Sequence, residues 1–193
     1  ANLGVFYTMA NNIDSAIYYY KLSSQFNVDS TEDFSNNNVG YLYLLNSQMD
    51  SAKYYLKRSI MRDSAIPHPF FNLGTIDVLR KNYRGAIDNF IIAIKKATIS
   101  EELFLDHFDI YFNKKYNVKD SVLYKDFNDK VQPFNVKYIS YLCILYCYLR
   151  DHALVKDNDK IETILSKLLA FKQYESTTYY HYACYRALQK NKK

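Results

Sequence analysis

The feature that most constrains this chain is a repeat marked by its few glycines. Three of the four glycines stand 36 and 34 residues apart, and an apolar residue precedes each one: Leu3-Gly4, Val39-Gly40 and Leu73-Gly74. Three later columns keep their chemistry in each copy, first small, then large, then small: Ala16, Ala52 and Ala86; Tyr20, Leu56 and Phe90; Ser23, Ser59 and Ala93. Repeats of this length are typical of stacked units that share one continuous core.

The spacing within each copy predicts a pair of helices. Ala52, Leu56 and Ser59 stand at i, i+4 and i+7, which is one face of a helix. Small residues at Gly40 and Ala52 let two antiparallel helices approach closely, whereas larger residues fill the gap between successive pairs. Polar turns separate the helices at residues 11–14, 47–50 and 81–84. We therefore expect three antiparallel helix pairs before residue 98, with close packing at Gly40 and Ala86.

Helix ends also have sequence signals. Asp14-Ser15 and Asp50-Ser51 each precede an alanine and are expected to cap a helix. Pro67 and Pro69 suit the first turn of the third pair. All four glycines, Gly85 included, are attributed to helix packing. In this register Ala1 already lies inside a helix, so we expect the true N-terminus to be missing.

The C-terminal half keeps a helical pattern without a clear repeat. Residues 99–193 are expected to hold degenerate helical repeats and a closing helix, for roughly eleven helices in all. Asn113–Asp120 is interpreted as a polar connection. The five predicted helices are Glu101–Phe112, Val122–Val131, Phe134–Arg150, a stripe from Ile161 to Leu169, and Thr177–Leu188.

The glycine, alanine and aromatic columns resemble the tetratricopeptide repeat family over about residues 1–98. The third copy, from Phe71 to Ala93, is the most similar, although Asp77 stands where the family has an aromatic residue and no copy ends in the usual proline. The resemblance implies an all-α fold, a right-handed α-solenoid of antiparallel helix pairs. It also implies a protein that binds other proteins.

Several chemistries are excluded or disfavoured by the sequence. With Gly 4 and Pro 3, an all-β fold and a Gly-rich nucleotide-binding fold are both disfavoured. The four histidines, His68, His107, His152 and His181, lack metal-ligand spacing, and the sequence contains no hydrolase, P-loop or dinucleotide motif. Cys143 and Cys147 are interpreted as small core residues. We therefore expect no enzyme, no catalytic residue, no metal and no cofactor.

Charge and hydropathy limit the partners. The net charge of +5 is spread along the chain, and the basic tail from Arg186 to Lys193 is interpreted as a solvated chain end. The tyrosine runs Tyr18–Tyr20, Tyr54–Tyr55 and Tyr179–Tyr180 are expected to pack mostly between helices, so direct nucleic-acid binding is not expected. The most apolar stretch, Phe134–Leu149, is too polar for a membrane span.

The resemblance implies that the first helix of each pair lines a concave inner surface. In the first pair these positions are Asn2, Val5 and Thr8. The candidate partner-binding groove consists of eight residues, which we call the groove set: Asn37, Asn38, Tyr41, Leu44, His68, Phe71, Asn72 and Thr75. Amides and aromatic rings suit an extended segment or a helix of another protein. A clamp for a terminal carboxylate is not expected, because the required lysine and arginine are missing.

Two hypotheses on function stay open. The first is a non-enzymatic scaffold or adaptor, a subunit of a larger assembly that binds a partner segment in the groove. The second is the sensor or regulatory repeat region of a longer protein, such as a DNA-binding regulator. Tyr41 and Phe71 have an alternative role, packing against the helices of residues 101–193 or against each other. A homo-oligomer stays open, and the location is unknown, with the cytoplasm slightly favoured.

Overall fold

A computed structural model describes residues 2–26, 34–97, 102–103, 134–151, 153–172 and 175–190 of the chain. The chain divides into two compact units, Ala1–Thr98 and Ile99–Lys193. The described residues form nine α-helices and one pair of two-residue strands. The all-α fold class is therefore confirmed.

The first unit contains six helices. They are α1 (Asn2–Met9), α2 (Ile13–Phe26), α3 (Ser35–Leu45), α4 (Met49–Arg62), α5 (His68–Leu79) and α6 (Tyr83–Lys96). Consecutive helices pack as α1 with α2, α3 with α4 and α5 with α6, and α2 then packs on α3 and α4 on α5. Gly4 on α1 contacts Tyr20 on α2. Further along α1, Tyr7 contacts Tyr19, which precedes Tyr20 on α2. The two helices of a pair are thus antiparallel, as a tetratricopeptide-like repeat requires.

The repeated glycines are the points of closest approach within each pair. A Cβ atom added to Gly4, Gly40 or Gly74 would lie 2.7 Å from a side-chain atom of the paired helix, on Tyr20, Leu56 and Phe90 respectively. Such a separation is far below ordinary contact, so these positions exclude every larger residue without rearrangement. Ala86 is fully buried in the third pair. The predicted close packing at Gly40 and Ala86 is confirmed.

The turn inside each pair has the same backbone in all three copies. Asn11, Ser47 and Lys81 have φ values of 54°, 62° and 60°, the left-handed region that terminates a helix. The residues that follow begin the second helix. Asn12 Oδ1 accepts a hydrogen bond from the Ser15 amide at 3.2 Å, and Asn82 Oδ1 accepts one from the Gly85 amide at 3.3 Å.

Two sequence predictions about helix starts are wrong. Asp14 and Asp50 lie inside the first turns of α2 and α4 and do not cap them, because the helices begin two residues earlier than expected. Asp50 instead forms an ion pair with Arg80 at 2.6 Å, which links α4 to the next pair. Gly85 does not serve helix packing either. A Cβ atom there would collide with the Asn82 amide, so this glycine makes room for the cap.

The second unit contains the remaining elements. Strand β1 (Glu102–Leu103) pairs antiparallel with β2 (Phe134–Asn135), and α7 (Val136–Arg150), a 3-10 turn (Leu154–Lys156), α8 (Asn158–Leu169) and α9 (Glu175–Lys190) follow. The helix predicted from Glu101 is wrong at its start, because Glu102 and Leu103 pair as a strand. The rest of that prediction, together with Asn113–Asp120 and Val122–Val131, falls on residues 104–133, outside the described part.

Helix α7 packs against α8, the 3-10 turn and strand β2. Asn135 Oδ1 accepts hydrogen bonds from the amides of Lys137 and Tyr138 at 2.9 and 3.4 Å, so the helix begins two residues later than predicted. Most of its side chains are buried, as expected for a helix that is apolar all round. The predicted stripe of α8 is confirmed at four of its five residues, since Ile161, Ile164, Leu165 and Leu168 are buried, whereas Leu169 is partly exposed.

Within the described ranges, none of the helices has both the length and the apolar character needed to cross a bilayer. The right-handed sense of the helix stack stays a prediction.

Candidate functional site

The groove set lies on two neighbouring helices of the first unit. Four of its residues are on α3 and four are on α5, and these two helices contact each other across the boundary between the second and third pairs. The structure therefore brings the two halves of the set together, as the repeat register predicts. Whether the set binds a partner stays a prediction.

Burial divides the groove set into two parts. Asn38, Tyr41 and His68 are partly exposed, whereas the other five are buried: Asn37, Leu44, Phe71, Asn72 and Thr75. Phe71, which sequence reasoning favours as an aromatic anchor, is only 2% exposed, and its ring centroid lies 5.4 Å from that of Phe90. Phe71 is thus a core residue of the third pair. This arrangement corrects the expectation that Phe71 and Leu44 line an open surface.

Buried amides of the groove set bond one another. Asn72 Nδ2 donates to Asn37 Oδ1 at 3.0 Å, and Asn37 Nδ2 lies 3.4 Å from Asn38 Oδ1. These bonds run from α5 to α3 and end on the partly exposed Asn38. Because an unpaired buried amide is costly, the chain of amides fixes the register of the third pair on the second. Asn37 and Asn72 therefore have a structural role in place of the backbone-binding role that the sequence suggests.

Thr75 and His68 make further contacts within the first unit. Thr75 Oγ1 donates to the Phe71 carbonyl oxygen of its own helix at 3.2 Å. The His68 ring lies edge-on to Phe34, with centroids 6.3 Å apart. In the first pair, Val5 is exposed and Thr8 Oγ1 donates to the Gly4 carbonyl at 2.8 Å. The accessible part of the set is consequently formed by Asn38, Tyr41 and His68, which carry an amide, a phenol and an imidazole.

A second feature, which sequence reasoning missed, is a repeated arrangement of three tyrosines. In the first pair Tyr7 stacks on Tyr19 with centroids 5.1 Å apart, and Tyr18 meets Tyr19 edge-on. The second pair repeats this arrangement. Tyr43 stacks on Tyr55 with centroids 5.6 Å apart, and Tyr54 meets Tyr55 edge-on. The 36-residue spacing of these tyrosines was the available signal.

The third pair replaces the tyrosine stack with polar side chains. Asp77 and Asn89 occupy the corresponding positions, and Asn89 Nδ2 donates to Asp77 Oδ2 at 2.9 Å. The departure at Asp77 from the family pattern is therefore matched by a second change on the facing helix. The two positions behave as one interacting pair in every copy.

The tyrosine runs themselves are divided between core and surface. Tyr20 is buried, as predicted, but Tyr18 and Tyr54 are exposed, and so are Tyr179 and Tyr180 on α9. The expectation that most of these tyrosines pack between helices is therefore wrong for these four. Successive helical residues point about 100° apart, so a run of tyrosines always places some of them toward solvent.

Lys21 connects the first and second pairs. Its Nζ atom donates to Tyr43 Oη at 2.7 Å and stands 5.1 and 5.2 Å from the ring centroids of Tyr43 and Tyr55. Partial burial lowers the pKa of Lys21, but the hydrogen bonds and charge interactions with the two tyrosines outweigh it, so the pKa is raised above its ordinary value. The ammonium group is therefore held as a cation next to the stacked rings of Tyr43 and Tyr55.

The described residues offer little for catalysis. No group of three or more histidine, cysteine or acidic side chains gathers in the described part of the chain. Burial raises the pKa of the Cys143 thiol, and it raises the pKa of Cys147 to about 12, which suppresses the reactive thiolate at neutral pH. His107 and His152 lie outside the described residues. The absence of enzymatic activity and of a cofactor stays a prediction.

Comparisons with known proteins find no family model and no curated protein that matches the sequence. The chain is similar to the crystal structure of MamA, with 16% sequence identity, coverage of 98% of this chain and 96% of that chain, and a TM-score of 0.45. Neither this identity nor this TM-score supports an inference about function, which is therefore argued from the chain's own residues.

Proposed function

We propose that this chain is a protein-binding scaffold or adaptor, and that Asn38, Tyr41 and His68 form part of the surface that contacts its partner. The observation that carries the proposal is that α3 and α5, two helices that contact each other, carry an amide, a phenol and an imidazole that are partly exposed. Stacked helix pairs are commonly binding modules, because each pair adds a few side chains to one extended face. The partner is a segment of another protein.

The chemistry of these three side chains supports a polar but uncharged recognition. Tyrosine is a frequent anchor in interfaces, since it contributes a large rigid area and one hydroxyl group. Asn38 can both donate to and accept from a peptide backbone. None of the eight residues of the groove set carries a full charge at pH 7 when His68 is neutral. A short extended or helical segment with an apolar side chain therefore fits better than an acidic or basic tail.

Photocrosslinking tests this proposal. A photoreactive phenylalanine analogue placed at position 41 is expected to crosslink a cellular partner, whereas the same analogue at position 54 is not. Tyr54 is the matched control, because it is also a tyrosine of a helix in the second pair and is well exposed. Crosslinking from both positions to the same proteins, or from neither, would contradict the proposed surface.

Substitutions give an independent measurement. Tyr41→Ala and His68→Ala are each expected to weaken capture of the crosslinked partner, by about tenfold for an anchoring side chain. Phe71→Ala is unsuitable for this purpose, because Phe71 is buried and its removal would open a cavity. Thermal unfolding of each variant separates lost binding from lost stability. Unchanged capture with both variants would exclude this surface.

A further inference from the structure

The second helix pair contains two buried polar side chains that lack a protein partner within the described part of the chain. Asn36 on α3 is 0% exposed and Ser59 on α4 is 1% exposed. No described group forms a hydrogen bond with Oδ1 or Nδ2 of Asn36, or with Oγ of Ser59. An unpaired polar group in a protein interior is costly, so each of these atoms is expected to have a partner.

The repeat register places these two side chains opposite each other. A Cβ atom added to Gly40 would lie 2.7 Å from Leu56 Cγ, so these two residues face each other across the pair. Asn36 precedes Gly40 by about one helical turn, and Ser59 follows Leu56 by about one turn. Because α3 and α4 are antiparallel, both steps lead toward the same end of the pair. The unpaired atoms of the two helices are therefore expected to be neighbours.

The third pair carries apolar residues at the same place. Phe70 occupies the position of Asn36, 34 residues later. Ala93 occupies the position of Ser59 and is fully buried. Because asparagine is much smaller than phenylalanine, the second pair has both more polar atoms and more room at this place. A buried site of that kind can hold a small polar molecule.

The unpaired atoms restrict the chemistry of that molecule. Oδ1 of Asn36 requires a donor and Nδ2 requires an acceptor, whereas the Ser59 hydroxyl can act as either. An anion that only accepts would leave Oδ1 unpaired, and a metal cation would leave Nδ2 unpaired. A water molecule both donates and accepts, and it is small enough for a fully buried place.

The start of α3 offers one more donor to such a water. Phe34 precedes this helix and provides no side-chain cap. The backbone amide of Asn36 lies in the first turn, where N–H groups have no acceptor within the helix and are satisfied by a cap or by water.

We propose that a water molecule binds inside the second pair, between Asn36 of α3 and Ser59 of α4, and takes the place of a side-chain cap for α3. Buried waters typically form about three hydrogen bonds. The side-chain amide of Asn36, its backbone amide and the Ser59 hydroxyl provide that number. The site lies beside Asn37 and Asn38 of the groove set, so the bound water holds the start of the helix that carries both.

Crystallography of the full chain at high resolution tests the site directly. We expect a water peak about 2.7–3.2 Å from both the Asn36 side chain and Ser59 Oγ. An Asn36 side chain that bonds a protein group directly, or that has no peak beside it, would overturn the proposal. This arm needs no variant, so it decides the matter even if a substituted protein fails to fold.

Oxygen-17 relaxation dispersion of water gives an independent measurement in solution, because it detects internal waters that stay bound for longer than the protein tumbles. The double variant Asn36→Leu with Ser59→Ala removes both polar side chains at similar volume. It is expected to hold about one internal water fewer per chain. The matched control makes the same two changes at exposed positions, Asn46→Leu with Ser64→Ala, and is expected to keep the full number.

Circular dichroism and thermal unfolding establish that both double variants are folded. An unchanged number of internal waters in the folded Asn36→Leu, Ser59→Ala protein would overturn the proposal, and so would an equal loss in the control. Neither measurement involves a partner protein, so the water site and the proposed function can each fail while the other stands.

Discussion

Lys21 illustrates how one side chain holds two helix pairs together. It arises from α2 in the first pair, yet its ammonium group bonds Tyr43 and faces Tyr55 in the second pair. The contact combines a hydrogen bond with the attraction of a cation for two ring faces. Each contribution is small in isolation. Because both act at the boundary between the first and second pairs, Lys21 stabilises the packing of one pair on the next.

We expect Lys21→Met to lower the free energy of unfolding by about 1 kcal/mol at pH 7, because a cation–ring contact and one hydrogen bond are lost. The pKa of Lys21 is raised above 10.5 in the folded state. Its contribution is therefore fully present below that pH and is lost as the pH rises through the folded-state pKa. Urea unfolding of both proteins at pH 7 and pH 11 measures the difference. A gap that widens at high pH would contradict this assignment.

Lys81 shows a different single-residue effect, in the backbone. Its φ of 60° is unfavourable for a side chain with a Cβ atom, whereas glycine adopts it freely. We expect Lys81→Gly to raise the free energy of unfolding by about 0.5–1 kcal/mol. Lys57→Gly, in the middle of α4 and also exposed, is the control and is expected to cost about 1 kcal/mol. Chemical denaturation would show both changes, and a loss at position 81 would argue against the left-handed turn.

At the scale of elements, the glycine of each first helix decides how close the second helix comes. Gly4, Gly40 and Gly74 each face a large side chain of the partner helix, and the hydrogen of glycine is the only substituent that fits. The pairs are therefore held by shape complementarity between a small and a large residue, sixteen positions apart in every copy. This complementarity explains why the repeat keeps a glycine in one column and a large side chain in the column sixteen residues later.

We expect Gly40→Ala to lower the free energy of unfolding by about 1–3 kcal/mol, since its methyl group would lie 2.7 Å from Leu56 Cγ. Leu56→Ala alone should cost about 2–5 kcal/mol through the cavity that it leaves. In the double variant the added methyl group occupies part of that cavity. In denaturant titrations, the double variant should therefore lose less free energy of unfolding than the sum of the two single losses. Strict additivity would show that the two positions do not touch.

At the scale of the whole molecule, the chain consists of two compact units. The first is a regular stack in which each pair uses the same columns. The second packs α8 against both α7 and α9, and it adds polar links such as Tyr185 Oη to Asn158 Oδ1 at 3.0 Å. Because each unit has its own buried residues, disturbance of one core is expected to stay largely within that unit.

We expect Leu165→Ala, which removes a fully buried side chain of α8, to lower amide protection in α7 and α8 and to leave α3–α6 unchanged. The expected cost is about 2–5 kcal/mol. Hydrogen exchange followed by mass spectrometry measures protection in each peptide. Ala86→Leu, which overpacks the third pair, is the reciprocal variant and is expected to lower protection in α5 and α6 most and to leave α7 and α8 unchanged. Loss of protection across the whole chain in either case would show that the two units unfold together.

The sequence by itself determined the helix pairs, because the fit of Gly40 against Leu56 is a local property that repeats at a fixed interval. It likewise predicted the buried stripe of α8 and the apolar character of α7. It did not determine which residues of the groove set reach the surface. That depends on how α5 packs beside α3: the contact buries Asn72 against Asn37 and leaves Asn38 partly exposed. Tertiary packing also decided three other features: the burial of Phe71, the capping by Asn12 and Asn82, and the contact of Lys21 with Tyr43. Each is a choice between neighbouring residues of similar chemistry, and only the tertiary contacts distinguish them.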